Sequence, residues 1–251
     1  MIMNYLKFGK GKKILVLIPG LSVQSVLLMG DAVAHDYKIF TDNYTVYLID
    51  RREDVPPVYS VEDMARDTAE KMKELGLSDV CLVGASQGGM ISMLIAAWYP
   101  ELVHKLVLAS SAARVTELGN TVIRGWITLA EKKDGPGLYL DFLKKVYPSY
   151  MFDKYKDAFV FAGNSVKPEE LEHFIIIAKG AENFDARSEL SKIKCPVLVT
   201  GSDDDAVLGA EASREIARIL GCQIHMYTDY GHDCYDTAPD YKERLYQFFK
   251  E

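Results

Sequence analysis

The chain has 251 residues with a formal net charge of −7, and 49% of its residues are hydrophobic. The excess of acidic side chains argues against nucleic acid as a partner, because phosphate backbones bind basic surfaces. No apolar run approaches the ~18 residues of a membrane span, and the opening MIMNYLKFGKGKK lacks the basic-then-apolar pattern of an export signal. We therefore expect a cytoplasmic protein without a membrane partner, built on one large core with room for an inserted subdomain.

Short apolar runs bounded by turn residues predict the strands. In chain order they lie at 7–9, 12–18, 44–50, 79–84, 105–110, 195–201 and 223–228. The first two, joined by the sequence GKGK, predict either a hairpin or two successive strands. Several later runs are continuously apolar, which is typical of strands that are covered on both faces.

Helical patterns fall between these strands, at about 61–75, 87–100, 211–220 and 239–250. The first of them opens on Ser60 and Asp63, which predict a capping box. Strands that alternate with helices predict an α/β fold with a mostly parallel sheet flanked by helices.

The alternation stops between 112 and 186, where the sequence predicts several helices and no strand. Eleven of the 27 aromatic residues of the chain lie in this stretch. We expect residues 1–111 and 187–251 to form the core domain, and residues 112–186 to form a helical lid inserted into it. Burial of the lid against the core accounts for most of these aromatics, although some of them could face an apolar substrate.

The sequence GASQGGM, residues 84–90, lies between a predicted strand and a predicted helix. A Gly-x-Ser-x-Gly sequence in that context predicts a nucleophile elbow, a strained turn that exposes the hydroxyl of Ser86 at a helix amino terminus. Small neighbours such as Gly88 allow the bend and let the helix pack close to the sheet. A structural turn is the alternative interpretation.

A serine hydroxyl needs a base to take its proton. The chain has five histidines: His35, His104, His173, His225 and His232. The last of them follows the predicted strand at 223–228 in the loop DYGHD, from which it can reach over the sheet edge. The sequence therefore favours His232 as the base, whereas the other four lie in strand, helix or surface contexts without a supporting motif.

An acid must orient the imidazole, and three consecutive aspartates, Asp203, Asp204 and Asp205, follow the strand at 195–201. Their order after Ser86 and before His232 completes a pattern that resembles the α/β-hydrolase superfamily over essentially the full chain. In that family the acid commonly falls three residues after the strand-ending glycine and three before a valine. The resemblance thus implies Asp204, between Gly201 and Val207, with Asp203 as the runner-up.

The resemblance also implies an oxyanion hole of two backbone N–H groups, those of Leu21 and Gln87. Family members often read His-Gly-x in the first of these loops, whereas this chain has Pro19-Gly20-Leu21. The substitution keeps the donor, because the donor is a backbone amide two residues further on. The family also often has a proline at the position of Leu208.

These residues predict a serine hydrolase that acts on a small acyl substrate, most simply a carboxylic ester, through an acyl-enzyme on Ser86. A thioesterase, a lactonase, a C–C bond hydrolase or a cofactor-free haloperoxidase would use the same triad. A non-enzymatic small-molecule sensor on the same fold is an alternative of another class, which turnover of short-chain esters would separate. The four cysteines lack metal-site or redox-pair spacing, and no phosphate loop or dinucleotide fingerprint is present, so we expect no metal and no cofactor.

Overall fold

Residues 1–250, which a computed structural model describes, form a seven-stranded sheet with helices on both faces. The strands are β1 (Met3–Gly9), β2 (Lys13–Ile18), β3 (Tyr44–Arg52), β4 (Val80–Ala85), β5 (Val103–Ala109), β6 (Val197–Ser202) and β7 (Gln223–Tyr227). Their order in the sheet is β1-β3-β2-β4-β5-β6-β7, and every neighbouring pair except β1 with β3 is parallel. The predicted α/β class with a mostly parallel sheet is confirmed.

The hairpin interpretation of the first two strands is wrong. β1 pairs antiparallel with β3, with Leu6 opposite Leu48, and β2 lies between β3 and β4. Burial explains the arrangement, because β2 is buried along most of its length and needs a neighbour on each side. β1 is largely exposed and fits only at the sheet edge.

Helices cover the two faces of the sheet and divide the apolar residues into two cores. They are α1 (Gly30–Asp36), α2 (Val61–Glu74), α3 (Gln87–Trp98), α4 (Glu117–Glu131), α5 (Gly135–Val146), α6 (Phe152–Asn164), α7 (Pro168–Lys179), α8 (Ala210–Leu220), α9 (Cys234–Thr237) and α10 (Tyr241–Lys250). The capping box predicted for α2 is present, because the side chains of Ser60 and Asp63 each accept the other residue's backbone N–H. No helix within residues 1–250 has the length and apolarity to cross a membrane.

Four helices, α4 to α7, lie between β5 and β6, where the sequence predicts the lid. The two ends of this insertion meet, because Arg114 and Asp185 form an isolated antiparallel bridge and Ala186 N donates to Ala113 O at 2.8 Å. Trp126 stacks on Phe142 with ring centroids 4.0 Å apart, and Phe174 packs against the same cluster. These aromatics therefore hold the helices of the insertion together. The domain boundaries at 112 and 186 stay a prediction.

Parallel strands bring their carboxyl ends to one edge of the sheet. β4 ends at Ala85, directly before Ser86; β6 ends at Ser202, directly before the three aspartates; and the loop after β7 carries His232. In open α/β sheets this edge is where ligands bind.

Candidate active site

Ser86 occupies a strained turn between β4 and α3. Its backbone has φ 53° and ψ −120°, a conformation that non-glycine residues rarely adopt. Ser86 N donates to Ala109 O at 2.8 Å, and Ser111 Oγ donates to Ser86 O at 2.8 Å. The neighbouring strand and loop therefore hold the strained residue in place, as the predicted nucleophile elbow requires.

Gly88 lets the amino terminus of α3 approach the loop after β2. A Cβ on Gly88 would collide with the carbonyl oxygens of Ile18 and Pro19, which are backbone atoms that cannot move aside. Only glycine fits at this position. The first turn of α3, with its unpaired N–H groups and positive dipole end, consequently lies against the Pro19-Gly20-Leu21 loop.

His232 lies between the serine and a carboxylate. Its Nε2 is 2.9 Å from Ser86 Oγ, and its Nδ1 is 2.8 Å from Asp205 Oδ2. The ring is buried. A hydrogen bond from Nδ1–H to the carboxylate leaves Nε2 free to accept the serine proton, which is the tautomer that a general base needs.

Hydrogen bonds to the second carboxylate oxygen of Asp205 hold its side chain in place. Asp205 Oδ1 accepts the backbone N–H groups of Val207 at 2.8 Å and Leu208 at 3.0 Å. Burial acts to raise the pKa of Asp205, but the adjacent imidazole of His232 and these hydrogen bonds outweigh it, and the pKa lies below its ordinary value. The carboxylate therefore stays ionised beside the ring.

The assignment of Asp204 as the acid is wrong. Asp204 turns back to the strand ends, where its carboxylate accepts the hydroxyl of Ser202 and the backbone N–H of Gly231 at 3.0 Å. Asp203, the runner-up, forms an exposed ion pair with Arg214. The structure brings Asp205 to His232 instead, because β6 continues to Ser202 and shifts the loop that follows by one residue.

Leu208 is the sequence signal that could have indicated the contact between Asp205 and His232. An aspartate often accepts backbone N–H groups two and three residues further on, and proline lacks such a group. Leucine at position 208, where the family often has proline, leaves a donor for the carboxylate of Asp205. The departure from the family pattern and the shifted acid are thus parts of one local structure.

The two segments predicted to supply the oxyanion hole lie beside Ser86. Gln87 is the first residue of α3, and the N–H groups of a first helical turn have no partner within the helix. A Cβ on Gly20, next to Leu21, would stand 3.2 Å from Ser86 Cβ. The donor roles of the Leu21 and Gln87 amides stay a prediction.

The side chain of Gln87 has contacts that the sequence did not reveal. Gln87 Nε2 donates to Ile177 O of α7 at 2.9 Å, and Gln87 Oε1 accepts from Arg51 Nη2 at 3.3 Å. The same Nη2 donates to Pro19 O at 2.8 Å. No sequence motif marks Arg51, because its role depends on how the end of β3 packs against two other segments.

In the part of the chain that the structure describes, the other four histidines form no hydrogen bond with Ser86. His104 contacts Asp79 on the surface, and His225 packs edge-on against Tyr227. His173 is on α7, and His35 is in the last turn of α1. The selection of His232 from the five agrees with its contacts to Ser86 and Asp205.

Comparison with known proteins agrees with this geometry. The sequence model of the alpha/beta hydrolase family matches residues 15–241. The chain belongs to this family. The predicted resemblance to the α/β-hydrolase superfamily is therefore confirmed.

Individual relatives of this alpha/beta hydrolase are distant. The mouse protein "Serine hydrolase BPHL" is 23% identical over 98% of this chain and 82% of its own length. "Lipase 1" of Psychrobacter immobilis is 30% identical over 69% of this chain, and the alignment spans 58% of the lipase. The crystal structure of MGS-M2, an alpha/beta hydrolase enzyme from a Medee basin deep-sea metagenome library, has a TM-score of 0.87 at 20% identity. Its alignment covers 99% of this chain and 94% of MGS-M2, which shows the shared fold.

This alpha/beta hydrolase has a cleft of about 390 Å³ next to the Pro19-Gly20-Leu21 loop. Its lining carries both apolar side chains and polar ones, the latter including Gln24, Arg51, Glu170 and His173. Gln24 joins the loop to the insertion, because its side chain donates to Glu170 of α7 and accepts from Tyr139 of α5 at 2.9 Å. The cleft is thus bounded by the core on one side and by helix α7 on the other.

Proposed function

We propose that this alpha/beta hydrolase is a serine hydrolase that cleaves a small acyl substrate, most simply a carboxylic ester. The observation that carries the proposal is the connected set of side chains Ser86, His232 and Asp205, joined at 2.9 and 2.8 Å. Such a set activates a hydroxyl for attack on a carbonyl carbon.

In the proposed first step, Ser86 Oγ attacks the carbonyl carbon while His232 Nε2 takes the hydroxyl proton. Asp205 keeps the ring in its orientation and stabilises the imidazolium that forms. The N–H groups of Leu21 and Gln87 would hold the negatively charged oxygen, and each such donor contributes about 3 kcal/mol to transition-state stabilisation. The imidazolium then protonates the leaving alcohol, and the acyl-enzyme remains.

In the second step, His232 takes a proton from water, which attacks the acyl carbonyl. The imidazolium then returns the proton to Ser86 Oγ as the bond to the acyl group breaks and the acid leaves. The same positions serve both steps, because the imidazole alternates between base and acid. Water and substrate are the only reactants that these steps require.

The polar side chains in the cleft next to Gly20 support a small substrate with hydrogen-bonding groups. Its volume of about 390 Å³ lies in the range of small-molecule sites. The insertion aromatics Trp126, Phe142 and Phe174 pack against one another, so they give less support to a long apolar chain. The cytoplasmic location and the small-molecule partner stay part of this proposal.

Labelling with a fluorophosphonate tests the nucleophile. We expect mass spectrometry to find the label on Ser86, and the Ser86→Ala variant to lose both the label and the turnover of short-chain p-nitrophenyl esters. A series of esters of increasing acyl length should show the highest kcat/KM for short chains. Label on another residue would overturn the assignment of Ser86.

The alternative of a non-enzymatic sensor predicts a different result. The wild type would then fail to hydrolyse any ester of the series but bind a small metabolite tightly. The same assay with thioesters and lactones separates those activities from ester cleavage, because one triad serves all three.

A further inference from the structure

The side chain of Arg51 connects the two segments that would form the oxyanion hole. Arg51 Nη2 donates to Pro19 O at 2.8 Å on one side and to Gln87 Oε1 at 3.3 Å on the other. Pro19 precedes Gly20 and Leu21, whose shared peptide group would supply one donor. Gln87 would supply the other, so a single nitrogen spans both halves of the hole.

These two segments are in contact but are not held by strand pairing at this point. β2 ends at Ile18, before Pro19, and Gln87 belongs to α3. The missing side chains of Gly20 and Gly88 let the segments approach, as the contacts of a Cβ at each position show. Close approach without cross-linking leaves the distance between two N–H donors free to vary, and a bridging hydrogen-bond donor would fix it.

The surroundings of the Arg51 guanidinium lower the stability of the fold. Burial lowers the pKa of the guanidinium, while the adjacent Asp50 acts against this effect. Its Nε–H is buried and has no hydrogen-bond partner among residues 1–250. A partly buried charge with a buried, unsatisfied donor costs stability, so its place in the fold calls for an explanation.

Gln87 extends the connection to the insertion. Its Nε2 donates to Ile177 O, so Gln87 is held by the core through Arg51 and by α7 through its amide nitrogen. The buried side chain therefore has little freedom to move the backbone N–H that it carries.

We propose that Arg51 is a positioning residue that sets the spacing of the two oxyanion donors, Leu21 N–H and Gln87 N–H. The inference rests on the proposed function. Part of Arg51 lines the cleft, but its effect on the reaction goes through the Pro19 carbonyl and the Gln87 side chain. Its removal should weaken binding of the tetrahedral transition state while leaving binding of the ground-state ester unchanged.

The test compares Arg51→Met and Arg51→Lys with the control Arg66→Met. Arg66 lies on α2, pairs with Asp63 at the surface and is not among the residues that line the cleft. We expect both Arg51 variants to lower kcat about 10- to 100-fold. This decrease is no larger than the one that removal of a whole oxyanion-hole donor causes. KM should stay within about threefold.

A trifluoromethyl ketone gives a readout that general destabilisation would not move. Ser86 adds to the ketone and forms a tetrahedral oxyanion, so its inhibition constant should rise in each Arg51 variant by the factor lost in kcat/KM. Binding of the product acid should not change. Gln87→Leu keeps the backbone donor but removes the contact with Arg51, and its effect should be non-additive with that of Arg51→Met.

The outcomes separate the inference from the function on which it rests. Arg51→Lys with wild-type kcat would overturn it, because the shorter lysine side chain keeps the charge but does not place a nitrogen at the position of Nη2, between Pro19 O and Gln87 Oε1. A rise in KM alone would make Arg51 a substrate contact and overturn it too. If Arg51→Met does not fold, the kinetics of Arg51→Lys and Gln87→Leu test the inference. A wild type without esterase activity overturns the proposed function and this inference together. An active wild type whose Arg51 variants keep the wild-type kcat overturns the inference alone.

Discussion

Asp205 and His232 share a hydrogen bond of 2.8 Å in the interior of the protein, with 7% and 2% of their surfaces exposed. Because both groups are shielded from water, this hydrogen bond is stronger than one of the same length at the surface. The second oxygen of Asp205 is fixed by two backbone N–H groups. This arrangement makes Asp205, and not its neighbour Asp204, the group that orients the imidazole.

The adjacent aspartates provide a direct test of that assignment. Asp205→Asn should lower kcat about 10³- to 10⁴-fold, because an amide cannot stabilise the imidazolium and favours the wrong tautomer. Asp204→Asn should change kcat less than about tenfold, since Asp204 contacts Ser202 and Gly231 but not the ring. Steady-state kinetics on one short-chain ester measure both. Equal losses of kcat in the two variants, or a larger loss in Asp204→Asn, would contradict the assignment of Asp205. A larger loss in Asp204→Asn would support Asp204, the residue that the family spacing implies.

A second prediction concerns the contact between α3 and the loop after β2. Gly88→Ala places a Cβ against the carbonyl groups of Ile18 and Pro19, and should lower the free energy of unfolding by about 1–3 kcal/mol. It should also lower kcat about tenfold or more, because the helix start is displaced next to Ser86. Gly125→Ala is the matched control. Gly125 lies in the exposed middle of α4 with no atom within 4 Å of a Cβ, so alanine should add about 0.5–1 kcal/mol of stability.

Urea denaturation and ester kinetics distinguish these two glycines. A Gly88→Ala protein with wild-type stability and kcat would show that the helix start and the loop can separate without cost. That result would also weaken the argument that the two oxyanion segments are held at a fixed distance.

Much of the fold follows from the sequence because local signals agree with the tertiary structure. The buried parallel strands are continuous apolar runs, Ser60 with Asp63 marks the start of α2, and Gly84-x-Ser86-x-Gly88 marks the elbow. These features depend on neighbours within a few residues. The location of His232 after β7 was predictable for the same reason.

The features that the sequence did not reveal depend on contacts between distant segments. Whether β1 pairs with β2 or with β3 depends on which strand needs a second neighbour in the sheet. Which aspartate meets His232 depends on where β6 ends, a matter of one residue that spacing rules do not resolve. Arg51 carries no motif at all, because its contacts are with Pro19 and Gln87, 32 and 36 residues away.

The base of the insertion provides a third prediction. Asn120 Nδ2 donates to Asn183 Oδ1 at 3.3 Å, and Asn183 N donates to Asn120 Oδ1 at 3.1 Å. These bonds join α4 to the loop that follows α7. Asn120→Ala leaves the N–H of Asn183 without its acceptor, so we expect a loss of about 1–3 kcal/mol in the free energy of unfolding.

The control for this variant lies in the same insertion. Asn164, the last residue of α6, is exposed, and Asn164→Ala should change the free energy of unfolding by less than about 0.5 kcal/mol. Thermal melting of the two variants measures the difference. Similar melting temperatures would mean that the apolar packing of the insertion, rather than this pair, closes its base.

The last prediction concerns Asp233, the neighbour of His232, whose carboxyl group is buried. Burial, and next the negative charge of Asp236, raise the pKa of Asp233 well above its ordinary value, although Lys242 and Tyr235 act against the shift. A carboxyl whose pKa is higher in the folded state stabilises the fold fully below the unfolded pKa of about 3.9. That contribution is lost as the pH rises through the folded pKa, because the unfolded chain releases the proton first.

Asp233→Asn removes this titration and keeps a neutral group of similar shape. Relative to the wild type, the variant should therefore gain stability steadily as the pH rises above about 4, at about 1.4 kcal/mol for each unit by which folding raises the pKa. Urea denaturation at closely spaced pH values measures the difference, and Asp157→Asn on the exposed side of α6 provides the reference for an aspartate at the surface. A difference between Asp233→Asn and the wild type that does not change with pH would show that folding leaves the pKa of Asp233 unaltered. The carboxyl group next to His232 would then be as well solvated in the folded protein as in the unfolded chain.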